Sequence, residues 1–104
     1  MSNMPALTEP VYYILLSLLQ PMHGYGIMQN VKTITNGRVM IGAGTLYGAL
    51  STLQAKGFIT EHDSSEPGKK EYIITQQGRT VLKNEIERLE ELLVNGKIYY
   101  KEEK

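Results

Sequence analysis

The sequence predicts an α+β fold that is mostly α: three short helices, a β-hairpin and one long final helix. Apolar residues recur at helical spacing in four separate stretches. Two short β-prone stretches flank a polar loop that contains Pro67-Gly68, which is typical of a hairpin. The expected order is helix, helix, short strand, helix, strand, loop, strand and long helix.

The size and composition indicate one domain with a hydrophobic core, at 104 residues and 41% hydrophobic. The absence of cysteine excludes disulfides, a thiolate nucleophile and a cysteine-based zinc site. The apolar stretch from Val11 to Leu19 is about half as long as a membrane span requires, and residues 1–7 lack signal-peptide features. We therefore expect a cytoplasmic protein that does not associate with membranes.

The first helix is predicted to start at Thr8, whose side chain can cap it. Glu9 and Pro10 follow in the first turn, where an acid and a proline are both favoured. Pro21 ends the helical pattern. The apolar positions of this helix are Val11, Ile14, Leu15, Leu18 and Leu19.

The second helix is expected to start at His23-Gly24 and to run to about Thr35, because Asn36-Gly37 is a strong turn signal. The residues from Arg38 to Ile41 are β-prone and predict a short strand. A third helix should follow Gly42-Ala43-Gly44, with helically spaced apolar positions. Those positions are Leu46, Tyr47, Leu50 and Leu53.

The rest of the chain predicts a hairpin and a long helix. Gly57 suits the position just after the third helix, and the strands are expected over Phe58 to Glu61 and Glu71 to Thr75. Thr75 is expected to cap the last helix, which would end at about Asn95.

The last helix carries an apolar seam at steps of four, three and four residues, a spacing typical of helices that pair. We predict that this seam holds a homodimer together; the alternative is that it packs on its own domain. The seam residues are Leu82, Ile86, Leu89 and Leu93.

The order of elements is that of a winged helix-turn-helix domain followed by a long C-terminal dimerisation helix. In that architecture the third helix can enter a DNA major groove, which is about 12 Å wide, and the hairpin lies beside the neighbouring backbone. Residues 1–75 would form the DNA-binding domain, and residues 76–104 the dimerisation helix and tail.

Several stretches in this order resemble the PadR-type transcriptional regulators over roughly residues 6–82. The stretches are Ile14-Leu15-Leu16-Ser17-Leu18-Leu19, His23-Gly24-Tyr25-Gly26-Ile27, Gly44-Thr45-Leu46-Tyr47-Gly48-Ala49-Leu50, Leu53-Gln54-Ala55-Lys56-Gly57-Phe58-Ile59 and Tyr72-Ile73-Ile74-Thr75, followed by Gly78 and Leu82.

The resemblance implies a bacterial repressor that binds a palindromic operator as a homodimer and is relieved by a small ligand in some members. It also implies the short subfamily, in which one C-terminal helix supplies the dimer contact. The chain departs from the family in two places. It has Gly42-Ala43 where the family often has Ser-Pro, and it lacks the tryptophan that short members use to bind flat aromatic drugs.

Eight residues are candidates for contact with double-stranded DNA. Thr45 and Tyr47 carry hydroxyl groups at the start of the third helix, where free N–H groups favour a phosphate. The alternatives are that Thr45 caps the helix and Tyr47 packs. No arginine or asparagine occupies the outer face of this helix, so the strongest bidentate base readers are absent. The candidates are Arg38, Thr45, Tyr47, Ser51, Gln54, Lys56, Lys69 and Lys70.

The two tyrosines of the first helix, Tyr12 and Tyr13, suggest an apolar pocket with phenolic groups that would suit a small aromatic effector. The only imidazoles, His23 and His62, have no neighbours at metal-ligand spacing. We expect no metal, no cofactor and no catalytic constellation, and hence no enzyme activity.

Two functions remain as hypotheses. The first is a dimeric repressor that reads an inverted repeat. The second is a winged-helix protein-interaction module without DNA binding, which would explain the zero net charge and the weak base readers. Residues 1–60 carry three bases and one acid, which would suit a protein that turns one face to a polyanion, but ordinary scatter of surface charge explains the distribution equally well. The salt dependence of DNA binding distinguishes the two hypotheses.

Overall fold

The computed structural model describes residues 6–64 and 66–101 and contains four helices and one small sheet in those residues. The elements are α1 (Glu9–Ser17), β1 (Met22–His23), α2 (Gly24–Ile34), α3 (Ala43–Ala55), β2 (Ile59–His62), β3 (Glu71–Ile74) and α4 (Gln76–Tyr99). No helix among these residues is long and apolar enough to span a membrane.

Side-chain caps fix the start of three helices, two of them at the residues predicted as caps. The side chains of Thr8 and Thr75 each accept a hydrogen bond from the backbone N–H three residues later, which confirms both predictions. His23 makes the same contact through Nδ1 at the start of α2. Such caps satisfy N–H groups that a helix cannot pair internally. α3 differs, because Gly42 precedes it and offers no side-chain cap.

The sheet contains a strand that the sequence did not predict. The strand order is β1-β3-β2 and both pairs are antiparallel. The prediction of a short strand over Arg38 to Ile41 is wrong. The backbone N–H of Val39 donates to the Thr35 side chain at 3.0 Å, which ties this segment to the end of α2. The strand that joins the hairpin in the sheet is instead β1, at the start of α2. It has only two residues, too few to show an alternating pattern in the sequence.

The core lies between the first three helices and one face of the sheet. It includes most of the apolar positions predicted for α1 and α3, but Leu19 and Tyr47 are exposed. α4 closes it from the other side with Val81 and Leu82. Gly78 in its first turn lies directly against the Phe58 carbonyl group, so α4 approaches the sheet as closely as its backbone allows. The largest fully buried side chains are Ile14, Leu15, Leu18, Ile27, Val31, Leu46, Leu50 and Ile59.

α4 leaves the core after its third turn. Glu85 is the last buried residue of the helix, and residues 89–101 are all exposed. The predicted end at about Asn95 is wrong, because α4 continues through Gly96 to Tyr99. A single helical glycine costs only about 1 kcal/mol, which the surrounding helix formers offset. The proposed domain boundary after residue 75 therefore falls at the start of a helix whose first turns complete the core.

Candidate nucleic-acid interface

A groove of about 550 Å³ lies where the β-hairpin meets the starts of α2 and α3. We call β2, β3 and the loop between them the wing. The wing contributes Lys69 and Lys70 to the groove, α2 contributes its first residues, and α3 contributes Tyr47. The full lining is His23, Gly24, Tyr25, Tyr47, Gly68, Lys69, Lys70 and Tyr72.

The charges and dipoles of this groove favour an anion. Its two charged side chains are both lysines, and no acidic residue lines it within the part of the chain that the structure describes. The α2 helix also begins here, and the first N–H groups of a helix carry partial positive charge. A phosphate group in the groove would lie beside two lysine residues and a helix N-terminus. The sequence indicated the two lysines and Tyr47 as candidate DNA contacts, but it did not indicate that the N-terminus of α2 lies beside them.

Tyr47 packs at the junction of α2 and α3 and also remains half exposed. A Cβ atom at position 24 would overlap the Tyr47 hydroxyl group, so only glycine permits this close packing. Tyr47 is 52% exposed. The packing alternative is therefore realised, and contact of the same ring with DNA stays a prediction.

The outer face of α3 is smooth because small residues lie along its whole length. They lie opposite the buried leucines of the same helix and are Gly44, Gly48, Ser51 and Ala55, all exposed. Beyond its own stretch of helix, a Cβ atom at Gly44 or Gly48 would meet no atom of residues 6–64 and 66–101 within 4 Å. Thr45 is exposed in the first turn, beside N–H groups that lack a side-chain cap. Such a face can approach a nucleic-acid duplex closely, and its free N–H groups suit a phosphate.

The carboxylate of Glu61 on β2 contacts two of the predicted DNA-binding residues. Lys70 Nζ lies 3.3 Å from Glu61 Oε2, and Gln54 Nε2 donates to the same oxygen at 3.4 Å. Lys69 Nζ is 3.7 Å from a carboxylate oxygen of Glu66. Both ion pairs are more than half exposed at the lysines, so they are weak. The lysines are therefore available to a ligand with a stronger negative field.

The two remaining predicted contacts occupy different environments. Lys56 is the exposed C-cap of α3 and has no ion-pair partner among residues 6–64 and 66–101. Arg38 is paired with Glu9 of α1. Their hydrogen bond lowers the pKa of Glu9 and raises the pKa of Arg38. Arg38 is thus held toward α1, whereas the other candidates surround α3 and the wing.

The predicted dimer seam divides into a buried and an exposed part. Leu82 is 3% exposed and belongs to the core of its own chain, so the alternative of internal packing holds for this residue. Ile86, Leu89 and Leu93 are 37–58% exposed. Because α4 is longer than predicted, the same spacing continues through Gly96 to Tyr100, the C-cap.

Tyr12 and Tyr13 line one hollow of about 280 Å³, together with Glu85 and Arg88 of α4. The tyrosine rings meet edge to face with centroids 5.5 Å apart. Arg88 donates two hydrogen bonds to the buried Glu85 carboxylate, at 2.9 and 2.7 Å. These bonds lower the pKa of Glu85 and raise that of Arg88. The sequence predicted a pocket at the two tyrosines but did not indicate this ion pair.

Comparison with known proteins gives one consistent assignment. The profile of the transcriptional regulator PadR-like family matches residues 14–84. The chain is 32% identical over 68 residues to the Escherichia coli transcriptional regulator YqjI, and the matched stretch covers 65% of this chain and 32% of that protein. It therefore spans about a third of the length of the curated relatives that it matches.

Two solved structures are similar to this one. A transcriptional regulator from Clostridium thermocellum superposes with a TM-score of 0.74 at 30% identity, covering 88% of this chain and 90% of the other. Bacillus subtilis PadR, solved in complex with operator DNA, gives a TM-score of 0.59 at 26% identity, covering 71% of this chain and 45% of the other.

Proposed function

The chain belongs to the PadR-like family of transcriptional regulators, and we propose that it binds double-stranded DNA through α3 and the wing groove. The observation that carries the proposal is the groove itself. It brings Lys69, Lys70 and the N-terminus of α2 together beside the exposed face of α3. The Bacillus subtilis relative solved with operator DNA supports the proposal.

In this proposal the groove binds the phosphate backbone and α3 enters the major groove. Contacts to phosphate position a protein without reading sequence, whereas contacts to base edges specify it. Ser51 and Gln54 are the polar candidates for base contact on α3. Its other central residues are small, so close approach and the shape of the duplex would contribute much of the specificity.

We further propose that the protein acts as a homodimer through α4. Exposed leucines at heptad spacing on a helix that projects from the core are costly in water and are covered when two such helices pair. Gly96 leaves a depression between Leu93 and Tyr100 that a side chain of the second copy could fill. A two-fold dimer presents two α3 helices, which favours an inverted repeat as the target.

Repression, its relief by a small aromatic effector and a cytoplasmic location complete the proposal. Tyr12 and Tyr13 lie beside α4, the proposed dimer helix. A ligand there would change DNA binding only if it favoured one spacing of the two α3 helices over another. The hollow next to these tyrosines supports that role.

The experiment is to incubate the purified protein with fragmented genomic DNA and to sequence the fragments that it retains. We expect enrichment of a shared inverted repeat, because two identical α3 helices read two half-sites. A matched control is the variant Lys69→Ala/Lys70→Ala, which should retain less DNA of every sequence. Retention without any shared motif would contradict sequence-specific regulation. Absence of retention at low salt would favour the alternative, a protein-interaction module.

A further inference from the structure

The imidazole of His23 lines the wing groove and makes a hydrogen bond that fixes where its proton lies. His23 is the N-cap of α2, and its Nδ1 accepts from the backbone N–H of Gly26 at 3.2 Å. A ring nitrogen that accepts a hydrogen bond carries no proton, and in the charged imidazolium both nitrogens are donors. The ring of His23 is therefore neutral, and its one N–H group is at Nε2.

The Nε2–H group has no partner in the described part of the chain. Among residues 6–64 and 66–101, Nδ1 is the only atom of this imidazole that takes part in a hydrogen bond or an ion pair. Glu71 is the strand partner of His23, but its carboxylate contacts His62, whose Nδ1 lies 3.5 Å from it. His23 is also partly exposed. Its N–H group is therefore available to a ligand.

The sheet places this N–H group beside the lysines of the wing. β1 pairs with β3 so that His23 lies opposite Glu71, the residue after Lys70. His23, Lys69 and Lys70 line the same groove of about 550 Å³. Because Nδ1 faces the first turn of α2, the Nε2 edge of the ring faces away from that turn. The groove thus combines one neutral donor with two cationic side chains.

We propose that the Nε2–H group of His23 donates a hydrogen bond to a DNA phosphate in the wing groove, as an uncharged contact beside the two lysines. This inference rests on the proposed function, because it adds a residue to the same interface. The two nitrogens have separate tasks: Nδ1 caps α2 and holds the ring in place, and Nε2 contacts the phosphate. A donor that the fold already holds loses little side-chain entropy on binding, whereas a flexible lysine must be ordered.

Two substitutions separate the tasks of the two nitrogens. Asparagine can place an amide oxygen near the position of Nδ1 and is among the favoured N-caps, but it has no group at the position of Nε2. Glutamine can place an amide N–H near the position of Nε2 but is not a favoured cap. His23→Asn should therefore keep the wild-type stability in chemical denaturation. His23→Gln should raise the unfolding equilibrium constant about fivefold, the usual effect of losing an N-cap.

DNA affinity should respond in the opposite way, measured by fluorescence anisotropy with a labelled duplex that carries the retained motif. His23→Asn should weaken binding about three- to tenfold per half-site, the range of one hydrogen bond, whereas His23→Gln should stay within about twofold of the wild type. The slope of log K against log salt should not change in His23→Asn, because a neutral donor releases no counterion. Lys69→Ala should reduce that slope by about 0.9 per protomer.

Wild-type DNA affinity in His23→Asn would overturn the proposal. Equal losses of affinity in the two variants would also overturn it, because His23 would then act only through the fold. If His23→Gln does not fold, His23→Asn decides alone, since its affinity must fall while its stability and salt slope stay at the wild-type values.

The position of the proton is tested without DNA, from the ¹⁵N chemical shifts of the His23 ring in the wild type. We expect the proton on Nε2, and a proton on Nδ1 would overturn the proposal. A wild type that binds no DNA at low salt would contradict the proposed function and this contact with it. A wild type that binds DNA as tightly as His23→Asn would contradict the contact alone.

Discussion

Glu61 holds Lys70 and Gln54 in the free protein, and its replacement by glutamine should strengthen DNA binding. The carboxylate accepts from Gln54 and pairs with Lys70 at 3.3 Å, so in the proposed complex both groups would have to leave it to contact DNA. Glu61→Gln preserves the size and polarity of the side chain and removes only its charge. The lysine would then reach a phosphate without first breaking an ion pair.

The expected gain follows from the exposure and geometry of the pair. Lys70 and Glu61 are 58% and 50% exposed, and ion pairs of this kind contribute about 0.2–1 kcal/mol. Removal of the carboxylate also removes its repulsion of a phosphate, about 0.6 kcal/mol at about 7 Å in water. A gain of about 1 kcal/mol per protomer corresponds to about fivefold tighter binding, and to about 25-fold for a dimer.

Fluorescence anisotropy with a labelled duplex that carries the retained motif measures this gain at low and high salt. The matched control is Glu90→Gln on the exposed part of α4, which changes the net charge equally but lies away from the wing. The gain of Glu61→Gln should exceed that of the control and shrink as salt is added. Equal gains from both variants, or weaker binding by Glu61→Gln, would refute the role given to Glu61.

Three further predictions concern stability and assembly. Gly78→Ala should lower the free energy of unfolding by about 1–3 kcal/mol in chemical denaturation, because its Cβ would overlap the Phe58 carbonyl group. Gly96→Ala in the same helix should raise it by about 0.5–1 kcal/mol, because alanine favours a helix more than glycine does. Destabilisation by both variants would contradict the packing of α4 on Phe58. Arg88 lowers the pKa of Glu85, so this pair should stabilise the fold above the unfolded pKa of about 4.3 and lose its effect as pH falls through the lower folded pKa. The difference in unfolding free energy between the wild type and Glu85→Gln should therefore shrink in acid. A difference independent of pH would contradict the role of the pair. Leu93→Glu should yield monomers in light scattering, whereas Val94→Glu should not, because Val94 is also apolar and about half exposed but lies off the seam. Unchanged dimers with Leu93→Glu would exclude the α4 seam.

The features that the sequence predicted correctly depend on neighbouring residues. Thr8 and Thr75 cap helices through contacts three residues away, and Gly57 lies just after α3 as predicted, with a positive φ. The features that it missed depend on distant parts of the chain. β1 is a strand only because β3 lies beside it. Gly96 predicts the end of a helix, but it stays helical because one glycine lowers helix stability by only about 1 kcal/mol.

The candidate site shows the same division. Residue type and the nearby turn predicted that Lys69 and Lys70 lie exposed on the wing, and the structure has both exposed. Their contact with DNA stays a prediction. No pattern in the sequence links Glu61 to Gln54, or places the start of α2 next to the wing, because those contacts arise from packing. Leu82, which was predicted to lie on the dimer seam, is instead buried in the core of its own chain.

The salt dependence of binding tests most directly whether the wing groove binds the DNA backbone. The slope of log K against log salt concentration should fall in magnitude by about 0.9 for each phosphate that the protein no longer neutralises. In a dimer of Lys69→Ala/Lys70→Ala, about four phosphates are no longer paired with lysine, which predicts a decrease of about 3.6. The control Lys83→Ala/Lys97→Ala on α4 should keep the wild-type slope. An unchanged slope in Lys69→Ala/Lys70→Ala would contradict the account, because the wing would then not touch the backbone.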